Sequence, residues 1–159
     1  MVSATFTSRI LLHFENALAA QAVLVAYIPM LMDTGGNAGG QVSVTIIRGL
    51  SLGEIEMRDI LRVIWKEIRV AFFCGITLAA VNFGKMLIFD GVTVTVALAV
   101  CITLTMTVMI AKFVGCVLPI LAKRIGFDPA VMASPFITTI VDALALLVYF
   151  RVATLLIGM

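Results

Sequence analysis

Apolar residues run along most of the chain in four long segments, each separated from the next by a short polar stretch. A membrane helix needs about 20 mostly apolar residues, so each segment predicts one crossing. The segments are Ala17–Met32, which resumes at Val42–Ile47 after a polar, glycine-rich interruption, then Val70–Phe89, Val92–Ala111 with an extension towards Pro119, and Ala130–Phe150. The opening residues 1–12 are apolar but too short to cross and lack a signal-peptide pattern, so they are interpreted as the end of a partial first helix.

Composition agrees with a bilayer as the surrounding solvent. Of 159 residues, 62% are hydrophobic and 13% charged, whereas soluble domains are about 25% charged. The net charge of +2 is too small to indicate a nucleic-acid partner. The three cysteines, Cys74, Cys101 and Cys116, lie in apolar runs, and His13 is the only histidine. We therefore expect neither a disulfide nor a zinc-type metal site.

Basic residues are concentrated at one end of the predicted crossings. Five lie within residues 48–69, and Lys123 and Arg124 lie in the loop before the last crossing, whereas the turn after Asp90 has none. Short basic loops stay cytoplasmic. Residues 48–69 and 122–128 are therefore predicted to be inside, and Asp90 and the C-terminus outside, in a multi-pass protein of the cell (inner) membrane.

The basic segment has a helical pattern of its own. In EIEMRDILRVIWKEIRV, residues 54–70, apolar side chains recur at helical spacing and charges occupy the other face. Such a helix either lies along the membrane surface or docks on a cytoplasmic partner. No internal repeat or low-complexity linker interrupts the chain, so residues 1–159 are predicted to form one domain.

Polar residues inside the predicted crossings align on helix faces. One face of the glycine-rich segment carries Thr34, Asn37, Gln41, Thr45 and Arg48. One face of the last crossing carries Ser134, Thr138 and Asp142, each four residues apart. Polar stripes of this kind usually face a cavity or a pathway rather than lipid.

Asp142 lies near the middle of the last crossing. A carboxylate at mid-membrane costs about 2.5–3.5 kcal/mol on insertion scales, so it needs a function or a partner. One alternative is an ion pair inside the bundle with Lys85 or Lys112. Against this alternative, both lysines lie near the ends of their crossings, from which long side chains reach the interface.

Four glycines, Gly35, Gly36, Gly39 and Gly40, interrupt the second helix. Glycine lowers the cost of leaving helical geometry, and an unwound membrane helix exposes carbonyls, which is tolerated only beside protein or water. A broken second helix beside a cavity is therefore predicted. The alternative is close helix packing, since small residues four apart also mark helix interfaces. Pro135 favours the cavity because it weakens its helix just before Thr138 and Asp142.

The chemistry of these stripes favours a hard cation. Carboxylates, amides, hydroxyls and carbonyls supply oxygen ligands, and His and Cys are missing from both stripes, which favours Mg²⁺ or Ca²⁺ over zinc or copper. Fixed charges are few. Because Mg²⁺ gives up water reluctantly, a sparse, wide site would hold it through its hydration shell. Residue chemistry alone therefore predicts a cation pathway.

Two segments, PMLMDTGGNAGGQ and GFDPAVMASPFITTIVDALALLVYF, resemble the two signature segments of the MgtE family of magnesium channels and transporters, and the similarity extends over essentially the whole chain. The resemblance implies a homodimer with five membrane helices per subunit and a Mg²⁺ pore at the dimer interface. It implies that Asp142 is the pore carboxylate, that the Thr138 carbonyl helps to hold hydrated Mg²⁺, and that Asp33, Gly36 and Asn37 come from the broken second helix. Ser134 stands where some relatives have Asn or Gly, which leaves its role open.

The chain departs from the family pattern at its start. Typical members carry a long cytoplasmic N-terminal region with a helical domain and paired CBS domains, which are not found in these 159 residues. The predicted protein is thus an all-α integral membrane pore domain that conducts Mg²⁺ as a homodimer in the lipid bilayer. The alternatives are a carrier that couples Mg²⁺ to Na⁺ or H⁺, and a non-conducting membrane scaffold. An enzyme is not expected, because no Ser–His pair, paired aspartates or metal-ligand set faces a common site.

Overall fold

The computed structural model of the chain describes residues 5, 7–10, 22–132 and 135–157. Residues 5 and 7–10 are helical, and the rest of the predicted partial first helix lies outside the described residues. The helices that follow are α1 (Ala22–Val25), α2 (Ile28–Ser51), α3 (Ile60–Ile88), α4 (Val94–Arg124) and α5 (Pro135–Ile157), with short 3-10 turns at Met57–Asp59 and Pro129–Met132. The described ranges contain no strand, and the all-α prediction is confirmed.

Helices α3, α4 and α5 are each long and apolar enough to cross a bilayer. They contain 29, 31 and 23 residues respectively, against the roughly 20 that a crossing requires. Helix α2, with 24 residues, has sufficient length but carries the polar glycine-rich stretch. The prediction of a multi-pass membrane protein is therefore confirmed.

Helix α4 is the centre of the bundle and packs against α2, α3 and α5. Its residues Val100, Val108 and Ala111 are buried among the neighbouring helices. At the end where α4 begins, the Tyr149 hydroxyl donates to the Leu24 carbonyl oxygen at 2.9 Å and ties α5 to α1. The central helix therefore fixes the positions of α2 and α5, which also contact each other.

The glycine-rich stretch does not break its helix. Helix α2 runs without interruption from Ile28 to Ser51, so the predicted broken second helix is wrong. Positive backbone φ angles occur at Gly53, Gly91 and Gly126, all of which follow helix ends. A membrane helix satisfies its own backbone hydrogen bonds only while it stays wound, and close packing by the glycines compensates for their low helix propensity.

The basic segment is not a separate surface helix. After the 3-10 turn, α3 begins at Ile60 and continues to Ile88 as one helix, so the prediction of a helix lying along the membrane surface is wrong. Docking of this segment on a cytoplasmic partner stays a prediction. At a rise of 1.5 Å per residue, α3 is about 43 Å long. This exceeds a hydrocarbon core of about 30 Å, so part of the helix projects beyond the core.

Pro135 is the first described residue of α5, because residues 133–134 lie outside the described residues. Its carbonyl accepts hydrogen bonds from the hydroxyls of Thr138 at 3.2 Å and Thr139 at 2.7 Å. The weakening of the helix by Pro135 stays a prediction.

Side-chain contacts fasten both ends of α2. At its start, the Tyr27 hydroxyl and the Lys85 ammonium donate to the same Asp90 oxygen, at 2.8 and 3.0 Å. The hydrogen bonds from Lys85 and Tyr27 hold the pKa of Asp90 below its usual value. At the other end, the Lys123 ammonium donates to the Leu50 carbonyl at 2.8 Å. Helix α2 is thus fixed relative to α3 and α4 at two points.

Candidate functional site

A groove of about 710 Å³ runs between α2 and α5. Its lining consists of Met32, Asp33, Gly36, Asn37, Gly40, Gln41, Val44 and Thr45 from α2, and Thr138 and Asp142 from α5. The polar side chains comprise two carboxylates, two amides and two hydroxyls, and no Lys, Arg or His is among the described residues that line the groove. With both carboxylates ionised, the groove presents negative charge and oxygen ligands to its contents.

Helix α2 supplies one wall through a single helix face. Asp33, Asn37 and Gln41 are spaced four residues apart and are exposed, which places their side chains one above another along the groove. Thr45 follows four residues later, and its hydroxyl donates to the Gln41 carbonyl at 3.0 Å. The hydroxyl oxygen of Thr45 keeps lone pairs available as an acceptor.

Helix α5 supplies the other wall through Thr138 and Asp142, which lie one turn apart and are half-buried. The Thr138 hydroxyl donates to the Pro135 carbonyl, so its oxygen also keeps acceptor capacity. Five of the six predicted site residues therefore line one groove: Asp33, Gly36, Asn37, Thr138 and Asp142. The sixth, Ser134, lies outside the described residues.

Neither lysine considered as a partner for Asp142 pairs with it. Lys85 pairs with Asp90 at 3.0 Å, and Lys112 pairs with Glu67 of α3 at 3.2 Å, with both side chains largely buried. Within the part of the chain that the structure describes, no ion pair involves Asp142. The carboxylate of Asp142 is thus left to act on whatever occupies the groove.

The glycines that place α2 beside α4 and α5 face away from the groove opening. A Cβ on Gly35 would lie 2.7 Å from Val141 Cγ1 of α5 and 2.8 Å from Thr107 Cγ2 of α4. A Cβ on Gly39 would lie 2.8 Å from Ile137 Cγ2. Helix α4 approaches as closely, since a Cβ on Gly115 would overlap the Gly39 carbonyl. Close packing, the alternative considered for the glycines, therefore describes Gly35 and Gly39.

The other two glycines border the open space. A Cβ on Gly36 would lie 3.2 Å from Thr138 Cγ2 across the groove, and a Cβ on Gly40 would meet nothing within 4 Å. Because α2 is continuous, the groove offers side-chain oxygens here and not the unwound carbonyls that the sequence predicted. Gly36 and Gly40 keep the groove wide by having no side chain.

Two residues of the polar stripe predicted on α2, Thr34 and Arg48, do not line the main groove. Thr34 lines an adjoining groove of about 300 Å³, which shares Asp33, Asn37 and Gln41 with the main groove and also includes Cys74 and Lys112. Met32, Gly40 and Val44 line the main groove but were not predicted as site residues. Counting from Asp33 in steps of four gives the face that includes Asn37 and Gln41, and this register would have located Gly40 and Val44 as its neighbours.

These features define an all-α, multi-pass membrane protein with an oxygen-lined groove that contains two carboxyl groups. A family model for MgtE, described as a divalent cation transporter, matches residues 28–152. The match begins at the first residue of α2 and ends within α5, so it includes both walls of the groove. The chain belongs to the MgtE family of divalent cation transporters.

Curated relatives carry the same family name. The chain is 39% identical over 150 residues to the magnesium transporter MgtE of Thermus thermophilus, and this match covers 94% of this chain and 33% of the relative. It is 34% identical over 145 residues to the magnesium transporter MgtE of Bacillus subtilis, and this match covers 91% of this chain and 32% of the relative. It is 27% identical over 152 residues to the magnesium transporter MgtE of Enterococcus faecalis, and this match covers 94% of this chain and 33% of the relative. The chain thus spans about a third of the length of these relatives.

Proposed function

We propose that this chain forms a membrane pathway for Mg²⁺, with the groove between α2 and α5 as one half of the pathway. The observation that carries the proposal is the convergence of Asp33, Asn37, Thr138 and Asp142 on one groove, whose described lining includes no Lys, Arg or His. Family membership and relatives named as magnesium transporters support the choice of ion.

The pathway is completed by a second copy of the chain. Asp33, Asn37 and Gln41 are exposed on the surface of a single subunit, and polar groups facing hydrocarbon are unfavourable. A two-fold axis along the groove would place the same residues on the opposite wall. Each subunit then contributes one Asp142, and the two carboxylates face a shared central space.

The ion passes with much of its hydration shell. Mg²⁺ prefers octahedral oxygen coordination, dehydrates reluctantly and is usually held by one or two carboxylates with several waters. Asp142 from each subunit supplies that charge, while Asn37 and the Thr138 oxygens accept hydrogen bonds from the bound waters. Ser134 is assigned to the same row by its spacing from Thr138. Its position lies outside the described residues.

The basic end of the bundle faces the cytoplasm. Arg48, Lys123 and Arg124 end α2 and α4 there, together with the start of α3, and the bias of basic residues sets orientation. The Tyr27–Asp90–Lys85 cluster and the end of α5 then lie on the extracytoplasmic side. This places the protein in the cell (inner) membrane, with the ion entering from the side of Asp90.

Mg²⁺ uptake into liposomes that contain the purified chain tests the proposal. We expect uptake down the Mg²⁺ gradient that is unchanged when a pH or Na⁺ gradient is imposed. Uptake that requires one of those gradients would identify a coupled carrier, and the absence of uptake by a folded protein would identify a scaffold. Cross-linking across the groove, through cysteines introduced at Val44, tests the second copy separately from transport.

A further inference from the structure

The cytoplasmic-facing start of α3 carries a basic face that the proposed pathway does not use. Arg62, Lys66 and Arg69 follow one another at intervals of four and three residues and are all exposed. The ion pairs of the described ranges are Arg58–Glu56, Lys85–Asp90 and Lys112–Glu67. The cations of the basic face therefore take part in none of them.

The length of α3 places this face at the membrane boundary. About 20 helical residues span the hydrocarbon core, and counting back from Ile88 reaches Arg69. Arg62 and Lys66 then lie at headgroup level, where cations and tryptophan side chains are favoured. Trp65, 64% exposed, lies at the same level.

Two adjoining surface grooves continue from these cations towards the bilayer centre. One, of about 290 Å³, is lined by Lys66, Arg69, Val70 and Phe73. The other, of about 320 Å³, is lined by Trp65, Ile68, Arg69, Phe72, Phe73 and Met109. Arg69 and Phe73 belong to both. The surface is thus cationic at its outer end and aromatic at its inner end, with Met109 of α4 as its far wall.

We propose that this surface binds an anionic phospholipid, with its phosphate held by Lys66 and Arg69 and an acyl chain lying along Phe72 and Phe73. Charge complementarity favours this occupant, because anionic lipids are attracted by clustered Lys and Arg beside a membrane helix. A second copy of the chain in a two-fold contact would bring the same cations together and be repelled. A free phosphate ion would leave the aromatic part of the surface uncovered.

Trp65 makes the surface directly measurable, because it is the chain's single tryptophan. The whole chain is reconstituted in phosphatidylcholine vesicles, and Trp65 fluorescence is recorded as brominated phosphatidylglycerol or brominated phosphatidylcholine replaces the host lipid. We expect brominated phosphatidylglycerol to quench Trp65 fluorescence at a lower mole fraction than brominated phosphatidylcholine does. Equal quenching by the two lipids would overturn the proposal.

A charge-matched pair of variants separates a defined site from general attraction to the surface. K66Q/R69Q removes two cations from the grooves, and R58Q/R124Q removes two cations elsewhere at the same end of the bundle. We expect K66Q/R69Q to reduce the preference for phosphatidylglycerol over phosphatidylcholine roughly 10- to 30-fold, because each cation contributes about fivefold. We expect R58Q/R124Q to leave this preference within about twofold of its original value. The single variants K66Q and R69Q provide the same test with smaller effects if the double variant folds poorly. Equal losses in the two double variants would show surface potential alone and overturn the assignment.

Discussion

Glycines lie on two faces of α2, and their structural roles on the two faces differ. On the packed face, Gly35 and Gly39 have no room for a Cβ because α4 and α5 approach too closely. On the groove face, Gly36 meets only the Thr138 methyl group at 3.2 Å, and Gly40 faces open space. Glycine allows close approach of helix backbones on one face and leaves the groove open on the other. The comparison predicts that substitutions on the two faces affect different measurements.

The largest effect is expected at Asp142, which belongs to the groove alone. Asp142→Ala should lower Mg²⁺ flux into liposomes by about tenfold or more, since each lost unit charge about 4 Å from a divalent ion costs ~2 kcal/mol even at the dielectric constant of water. Folded yield and melting temperature in detergent should change little. Asp142→Glu, which keeps the charge, should retain part of the flux and is the control. Wild-type flux in Asp142→Ala would contradict the proposed pathway.

On the packed face, the expected loss is one of stability. Gly39→Val would place atoms against Ile137 and within 3.1 Å of the Ala111 carbonyl, and overpacking typically costs about 1–3 kcal/mol. We expect a lower melting temperature and a lower folded yield in detergent, with flux per folded molecule less affected. A melting temperature equal to that of the native chain would show that the close approach of α2 to α4 is not required.

On the groove face, Gly36→Val should reduce flux more than stability. Its Cβ needs a shift of only a few tenths of an ångström from Thr138 Cγ2, and its methyl groups would then occupy the ion's space. We expect flux to fall severalfold, with Asn37→Leu giving a comparable loss by removing both hydrogen-bonding groups. Dimer content is measured in detergent beside liposome flux. Loss of dimer without loss of flux per dimer would place Gly36 in packing instead.

The smallest effect, and one of opposite sign, is expected at Gly40. Gly40→Ala adds a methyl group where nothing lies within 4 Å, and alanine is favoured over glycine inside a helix by about 1 kcal/mol. We expect a slightly higher melting temperature and nearly unchanged flux. The matched variant Gly39→Ala should lower the melting temperature. If the melting temperature shifted in the same direction in both variants, the two faces of α2 would not differ in packing as described.

The sequence predicted the residues that line the groove better than the backbone that carries them. Steps of four residues placed Thr138 and Asp142 on one helix face and Asn37 on another, whereas Asp33 and Gly36 were predicted only from the family resemblance. Glycine propensity predicted a break in α2, but propensity is a weak local preference that tertiary packing overrides. The contact between Gly39 and Gly115 joins residues 76 positions apart in the chain, which local pattern does not reveal.

Two further differences between prediction and structure involve charged residues. The apolar count predicts that a crossing begins at Val70, after a basic cytoplasmic loop whose helical segment lies on the membrane surface or docks on a partner. The structure continues one helix through both. Lys112 was expected to extend to the interface, whereas Glu67, within the basic run, pairs with it. Partners that lie 45 residues apart are set by the packing of α3 on α4 and not by sequence spacing.

The polarity of α2 has a consequence for biogenesis. Asp33, Asn37 and Gln41 each oppose partition of this segment from the translocon into lipid. The neighbouring helices α3, α4 and α5 are long and apolar enough to partition on their own. Helix α2 is therefore expected to be retained in the membrane through contact with helices synthesised after it. Changes at Gly39 or Gly115 would then appear in cells as failed insertion or degradation.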